Sequence, residues 1–302
     1  MSDLANLDYL RRVNRAIDHV VVHLNEPLPL EVVAKVANFS PFHFHRVFKV
    51  VVGETLHDFV TRLRLERALT LLSRPEPPNL TEVALECGFA SSSDFSRSFK
   101  AHYGVPPSRF ELPAYREERR AQLSAVIPGG HLRSRLPAGA NPDGFVAQVR
   151  ALPPRRVAYV RVFRPYEGNG ALEAIDRLMR WAEPLGLADG QWLGYQWDDP
   201  EVVPLEQCRY DVGLEVPATA TLGEGLQDLL FPAMQVAELE LRGDAGLELR
   251  ALDWLYTTWL PSSGFSPDHQ PCFEAWIGRP FAHGTAHFEL RLHLPVVRTS
   301  PE

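Results

Sequence analysis

Apolar residues recur at three- and four-residue steps through Leu7, Leu10, Val13, Ile17, Val20, Val21 and Leu24, which predicts a helix over residues 7–24. Asn6 is placed to cap it, and Pro27 and Pro29 close it. A second helical run goes from Thr55 to Ser73, with Leu56, Phe59, Val60, Leu63 and Leu69 on its apolar face. Arg62, Arg64, Glu66 and Arg67 fall on the other face and are expected in solvent. The stretch Pro75-Glu76-Pro77-Pro78 stops this run.

The stretches between and after these helices are two copies of one pattern. Residues 30–53, LEVVAKVANFSPFHFHRVFKVVVG, return as residues 80–104, LTEVALECGFASSSDFSRSFKAHYG. Val33, Ala34 and Phe39 match Val83, Ala84 and Phe89 at an offset of 50; Arg46, Phe48, Lys49 and Gly53 match Arg97, Phe99, Lys100 and Gly104 at 51. The second copy has therefore gained one residue near its turn. Each copy reads as a short helix, a turn, and an amphipathic helix closed by glycine, which is the helix-turn-helix pattern. Ser40 and either Ser91 or Ser92 suit the N-caps of the second helices, and Pro41 suits a first helical position. Phe44, Phe48, Phe95 and Phe99 fall on the inward side.

A helix that enters the major groove of DNA presents its N-terminal residues to base edges. In the first copy these are Ser40, Pro41, Phe42, His45 and Arg46, with Lys49 one turn on to meet phosphate. Arg46 can contact guanine with two hydrogen bonds, and Phe42 can touch a thymine methyl. In the second copy the equivalents are Ser92, Ser93, Asp94, Ser96, Arg97 and Lys100. Asp94 would repel phosphate, and has the alternatives of accepting from a cytosine amine or capping its helix.

Residues 113–148 combine the charged run Arg116 to Arg120 with Pro128-Gly129-Gly130, Pro137, Gly139, Pro142 and Gly144, and read as a solvated linker. Beyond it the period shifts to two. Segments 146–152, 155–163, 210–217, 235–242, 273–278 and 287–296 alternate or are rich in β-branched residues. Gly170 to Pro184 and Gly246 to Leu260 have helical spacing. The order predicts an α+β domain of two similar halves, each a helix packed on a sheet.

The net charge of −7 argues at first against a nucleic-acid partner, but it is unevenly spread. Residues 1–115 hold 13 basic and 13 acidic side chains, and the remainder holds 18 and 25. A neutral N-terminal module can still bind DNA with its cations on one face. No apolar run reaches membrane-helix length, and MSDLANLDYL has no basic n-region, so a cytoplasmic protein with no membrane partner is expected. The three cysteines, Cys87, Cys208 and Cys272, are too sparse for a disulfide framework, and no metal or cofactor is expected.

All six tryptophans lie after residue 115. Aromatic walls with a carboxylate are what a hydrophobic cation needs, which singles out Tyr166, Trp192, Trp197, Trp254, Trp276 and Glu274. Glu274 lies inside the apolar segment Cys272 to Ile277, where alternation either turns it to solvent or buries it against a partner.

Residues 1–112 resemble the DNA-binding domain of the AraC/XylS family, above all in Gly88-Phe89, Phe95, Phe99-Lys100, Gly104 and the run Val105-Pro106-Pro107-Ser108-Arg109-Phe110. The resemblance implies an all-α fold of seven helices with tandem helix-turn-helix units, and supports the groove-facing positions above. Residues 149–302 resemble the GyrI-like effector-binding domain, in Trp197-Asp198-Asp199-Pro200, Cys208-Arg209-Tyr210-Asp211, Gln270 to Glu274, and the closing strand Leu290 to Pro295. That resemblance implies a pseudo-twofold α+β domain with a central cleft, in which Glu274 is the counter-ion of a lipophilic cation. Trp276 stands where a tyrosine is usual. The expectation is a transcription regulator controlled by a small lipophilic or cationic effector, with double-stranded DNA and RNA polymerase as partners, acting as monomer or homodimer. Two alternatives concern the GyrI-like domain. It can be a hydrolase, with Glu274 as base and Tyr166 or Tyr195 as acid, or a protein-binding module. No nucleophile elbow, phosphate loop or metal set supports catalysis, so no enzyme is expected.

Overall fold

A computed structural model describes residues 3–73, 77–126, 136–268, 270–282, 284 and 286–299. The chain divides into two compact units, residues 1–114 and 115–302.

The first unit is helical. It contains α1 (Asp3–Val22), α2 (Leu30–Val36), α3 (Pro41–Val52), α4 (Leu56–Leu72), α5 (Leu80–Glu86) and α6 (Ser92–Tyr103). Helix α7 (Leu112–Val126) begins at its end. The α2–α3 and α5–α6 pairs are the two copies of the repeat. The turn explains the change of offset. Asn38 (φ +59°) and Gly88 (φ +84°) take the same left-handed turn position at an offset of 50, and the extra residue comes after Phe89. Gly88 is also required for space, because a Cβ there would lie 2.8 Å from Asn25 Cα. The matched apolar residues Val33, Ala34, Phe44 and Phe48, and Val83, Ala84, Phe95 and Phe99, are all fully buried. At about 1.5–3 kcal/mol for each large side chain removed from water, these two clusters account for the repeat.

Two expectations are corrected here. Helix α1 has already begun at Asp3, so Asn6 is inside it rather than at its cap. The charged face of α4 is not solvated. Arg62 is 2% exposed and donates to Glu54 at 2.7 Å and to Glu66 at 2.7 Å. Arg64 donates to the carbonyls of Leu24 at 2.9 Å and Glu26 at 2.7 Å, the loop that follows α1. A helix packed on several sides has no free polar face, and the guanidinium groups are paired because unpaired burial is costly.

The second unit is one nine-stranded antiparallel sheet with helices on one face. Its strands are β1 (Gln148–Leu152), β2 (Arg155–Phe163), β3 (Trp192–Gln196), β4 (Arg209–Glu215), β5 (Gln227–Phe231), β6 (Met234–Gly243), β7 (Phe265–Pro267), β8 (Phe273–Trp276) and β9 (Phe288–Arg298). Helix α8 (Gly170–Ala182) lies against β2 and β4, and α9 (Ala245–Trp254) against β6. The spatial order is β1-β6-β9-β8-β3-β4-β2-β5, with β7 paired to β9. This order is symmetric about the β8–β3 junction. Strand β3 corresponds to β8, β4 to β9, β2 to β6 and β5 to β1. The two links Pro153-Pro154 and Pro232-Ala233 each join opposite ends of the sheet. Three Cα steps of 3.8 Å span about 11 Å, so the sheet must roll until its ends nearly meet. The rolled interior holds Val157, Leu193, Tyr195, Phe231, Val236, Phe273 and Ala275. There Phe231 of β5 stacks on Tyr195 of β3 at 4.5 Å, although two strands lie between them in the sheet.

The linker reading is corrected as well. Residues 112–126 form α7, and Arg120 is only 6% exposed, not a solvated spacer residue. Residues 127–135, with Pro128-Gly129-Gly130, lie outside the described residues, as do 74–76.

Candidate functional site

Two places carry candidate chemistry, one in each unit. In the first, α3 and α6 begin alike. The Ser40 hydroxyl accepts from the His43 amide at 3.4 Å, and the Ser91 hydroxyl from the Asp94 amide at 3.1 Å. Each serine satisfies one of the free N–H groups of a first turn. The first turn of α3 presents Ser40, Pro41, Phe42, His45 and Arg46 to solvent, with Lys49 beyond. Phe42 is 76% exposed, and the Arg46 guanidinium lies 6.0 Å from its ring. An exposed phenylalanine held beside an arginine at a helix start serves no core. In α6, Ser93, Arg97 and Lys100 are exposed and Ser92, Asp94 and Ser96 half-buried. Asp94 is 3.3 Å from Arg97, an exposed pair worth about 0–1 kcal/mol, which a stronger partner can replace.

In the second unit the β3–β8 junction is the centre. Gly194 and Glu274 are register partners there, and they are equivalent under the pseudo-twofold. One half therefore supplies a carboxylate where the other supplies a hydrogen atom. The substitution makes room: a Cβ on Gly194 would lie 2.0 Å from Tyr210 Oη and 2.5 Å from Glu274 Oε2. In that space the Tyr210 hydroxyl donates to Glu274 Oε2 at 2.6 Å. The Gln196 amide donates to Glu274 Oε1 at 2.9 Å and to Glu248 Oε1, from α9, at 3.2 Å. Glu274 is 5% exposed and Glu248 9%.

Burial pushes Glu248 far above the usual carboxylate range, and the neighbouring Glu274 pushes it further. Burial raises Glu274 too, but hydrogen bonds from Tyr210, Gln196, Glu248 and Trp276 pull it back. The pair thus shares a proton, with Glu248 the member that keeps it. Tyr166 is raised by burial and then by Cys208, Asp199, Glu248 and Glu274 around it. Cys272 is raised by burial and by the same two glutamates, so it is a thiol rather than a nucleophile. Cys87 is likewise buried and pushed to about 12.

The structure brings together Glu274, Trp276 and Tyr166, places Trp192 in the same core cluster as Trp276, and leaves Trp254 and Trp197 elsewhere. Trp192 is fully buried beneath α8, donating to the Ala188 carbonyl at 2.8 Å. Trp254 is buried beside Phe145, with ring centres 5.8 Å apart. Trp197 packs into the rolled interior, near Tyr195, and donates to Asp211 Oδ2 at 2.6 Å. It points away from Glu274 because successive strand residues face opposite sides. Tyr195 is excluded as a partner of Glu274 for the same reason, and Tyr210 takes that position. The Trp197-Asp198 and Cys208-Arg209 motifs have a bracing role. Asp198 accepts two Arg209 side-chain hydrogen bonds at 2.8 and 2.7 Å, both residues fully buried, which pins the loop between β3 and β4. Tyr210 lies within the Cys208-Arg209-Tyr210-Asp211 motif, and alternation with Asp211 turns it to the opposite side of β4. Glu248 carries no such signal, being one of two acids on α9 with Asp253.

Comparison with known proteins places these features. Residues 33–112 match the model of a helix-turn-helix domain, and residues 147–297 that of a GyrI-like small molecule binding domain. The chain is 33% identical over 105 residues to the probable transcriptional regulator LumQ of Photobacterium leiognathi, over 34% of this chain and 42% of that protein. It thus spans less than half of that relative's length. It is 33% identical over 88 residues to the regulatory protein SoxS of Escherichia coli, over 29% of this chain and 81% of SoxS. In the other half it is 29% identical over 128 residues to DNA gyrase inhibitor 2 of Dickeya dadantii, over 41% of this chain and 80% of that protein.

Proposed function

The chain belongs to the family with a GyrI-like small molecule binding domain, here preceded by an AraC-type helix-turn-helix domain, and on that premise we propose that it is a transcription regulator that binds DNA sequence-specifically under the control of a small cationic effector. The observation that carries the reading is the joining of two matched, serine-capped helices to a buried pair of carboxylates whose hydrogen-bond partners among the described residues, Tyr210 and Gln196, are not basic. Helices α3 and α6 present Arg46 and Arg97 for base edges, Lys49 and Lys100 for phosphates, and the first-turn serines for adaptable hydrogen bonds. The 17 residues of α4 rise about 25 Å, which suits two helices serving neighbouring major grooves about 34 Å apart. Glu274 and Glu248 supply the negative charge, and Tyr166 and Trp276 the aromatic surface, for a lipophilic cation. RNA polymerase is the partner such a regulator would address, and the cytoplasm its compartment. No described helix is long and apolar enough to cross a membrane.

The test is selection of genomic DNA by the full-length protein, with footprinting at about 150 mM salt, where nonspecific phosphate binding is weak. Enrichment of one asymmetric site of about 20 base pairs, protected over adjacent major grooves, is expected. No enrichment, with or without lipophilic cations and with residues 1–115 alone, overturns the reading. The short Tyr210–Glu274 contact beside a second, protonated glutamate favours one other reading, hydrolysis of a reactive small molecule by general acid–base chemistry. A protein that binds candidate substrates and returns them unchanged after long incubation removes that reading.

A further inference from the structure

Helix α7 carries two guanidinium groups onto carboxylates of the two elements that flank the Glu274–Glu248 cluster. Arg116 Nη2 stands 2.8 Å from Asp199 Oδ2, and its Nε 3.8 Å from Glu201 Oε2. Arg120 donates to both Glu201 and Asp253. These three carboxylates belong to two different elements. Asp199 and Glu201 lie in the loop after β3, three and five residues past Gln196. Asp253 lies on α9, five residues past Glu248. At the buried cluster, Gln196, the last residue of β3 before that loop, donates to Glu248 of the same helix at 3.2 Å. Arg120 therefore ties from outside the two elements that Gln196 and Glu248 close from inside. Tyr166 is near enough to Asp199 of the loop and to Glu248 and Glu274 of the cluster for all three to act on its hydroxyl.

No ligand atom fits between two groups 3.2 Å apart, so a cation reaching Glu274 past that contact must part Gln196 from Glu248. Where that parting is taken up by the loop that follows Gln196, Glu201 moves away from Asp253. One planar guanidinium cannot follow both carboxylates, because its hydrogen bonds hold only within narrow limits of distance and angle. A positive charge in the cleft also repels Arg116 and Arg120. We propose that α7 is a clasp that reports cleft occupancy: an entering cation spreads the two elements, breaks the Arg120 bridge and releases α7. The chain runs directly from residues 33–112, the helix-turn-helix match, into α7, so release changes how that domain is tethered. This inference rests on the effector reading above, and supplies its regulatory step.

Hydrogen exchange over residues 112–126 of the full chain tests it, with tetraphenylphosphonium as the probe and tryptophan fluorescence as the readout of binding. At saturation the α7 amides are expected to exchange at least about tenfold faster, as local opening becomes easier. Arg120→Ala should bind the probe at least about threefold more tightly, since the outer of the two ties that oppose opening is then gone. Asp253→Asn, which keeps the arginine, should shift affinity in the same direction and serves if Arg120→Ala fails to fold. Binding with unchanged α7 exchange in wild type overturns the clasp and leaves the cleft reading standing. Absence of binding in wild type and both variants overturns the cleft reading, and the clasp with it.

Discussion

Gly194→Ala is the sharpest test of the cleft's construction. The added methyl would meet Tyr210 Oη at 2.0 Å and Glu274 Oε2 at 2.5 Å, so the 2.6 Å bond between them cannot persist. Two effects add. The lost hydrogen bond to a charged group is worth about 1.5–3 kcal/mol. Forcing a methyl into a filled site costs about 1–3 kcal/mol. A destabilisation of about 2.5–6 kcal/mol is expected, which at about 2–4 °C per kcal/mol lowers the Tm of this unit by about 5–24 °C. Thermal unfolding followed by tryptophan fluorescence isolates the effect, because every tryptophan lies in residues 115–302. A double-mutant cycle with Tyr210→Phe supplies the control. Removing the hydroxyl deletes the bond and the nearest clash at once, so the two changes should be non-additive by at least about 1 kcal/mol. A Gly194→Ala protein with wild-type Tm, or strict additivity with Tyr210→Phe, refutes the account.

Further outcomes are expected in both units. Arg46→Ala should weaken binding to the selected DNA site by about 1–3 kcal/mol and relax preference at one base pair, read by competition gel shift; equal loss on all sequences would reduce Arg46 to a phosphate contact. Gly88→Ala places a side chain at φ +84° and 2.8 Å from Asn25 Cα, and should destabilise the helical unit by at least about 2 kcal/mol in urea, whereas Gly53→Ala at φ +93° meets nothing within 4 Å and should cost about 1–2 kcal/mol. Because the folded Glu248 is raised above its ordinary value of 4.5, its contribution to stability is present in full below that value and is lost as pH rises through the folded pKa. Glu248→Gln should therefore flatten the decline in stability above about pH 4.5, and a variant with an unchanged pH profile contradicts the shared proton.

Much of the helical unit was legible because its determinants are local. Caps such as Ser40, the buried phenylalanines at helical spacing, and the 50-to-51 change of offset depend on residues within a few turns of one another. The β-strands that alternate were legible for the same reason, whereas β3 was not: four of its five residues are buried, so Trp192–Gln196 has no period to read. The candidate site was half legible. Glu274 could be singled out as an acid within an apolar segment. Its partners could not, because Tyr210, Gln196 and Glu248 reach it only through strand register and the packing of α9. The same holds for the charges. Arg62 and Arg120 read as surface residues in sequence, and whether a guanidinium meets water or a carboxylate depends on chain segments many residues away. Sequence by itself determined the elements, their caps and the repeat, since these follow from short-range sterics and periodicity. Only the tertiary structure decided which buried charges face one another, because that pairing is set where the rolled sheet and its helices bring distant segments to within hydrogen-bond distance.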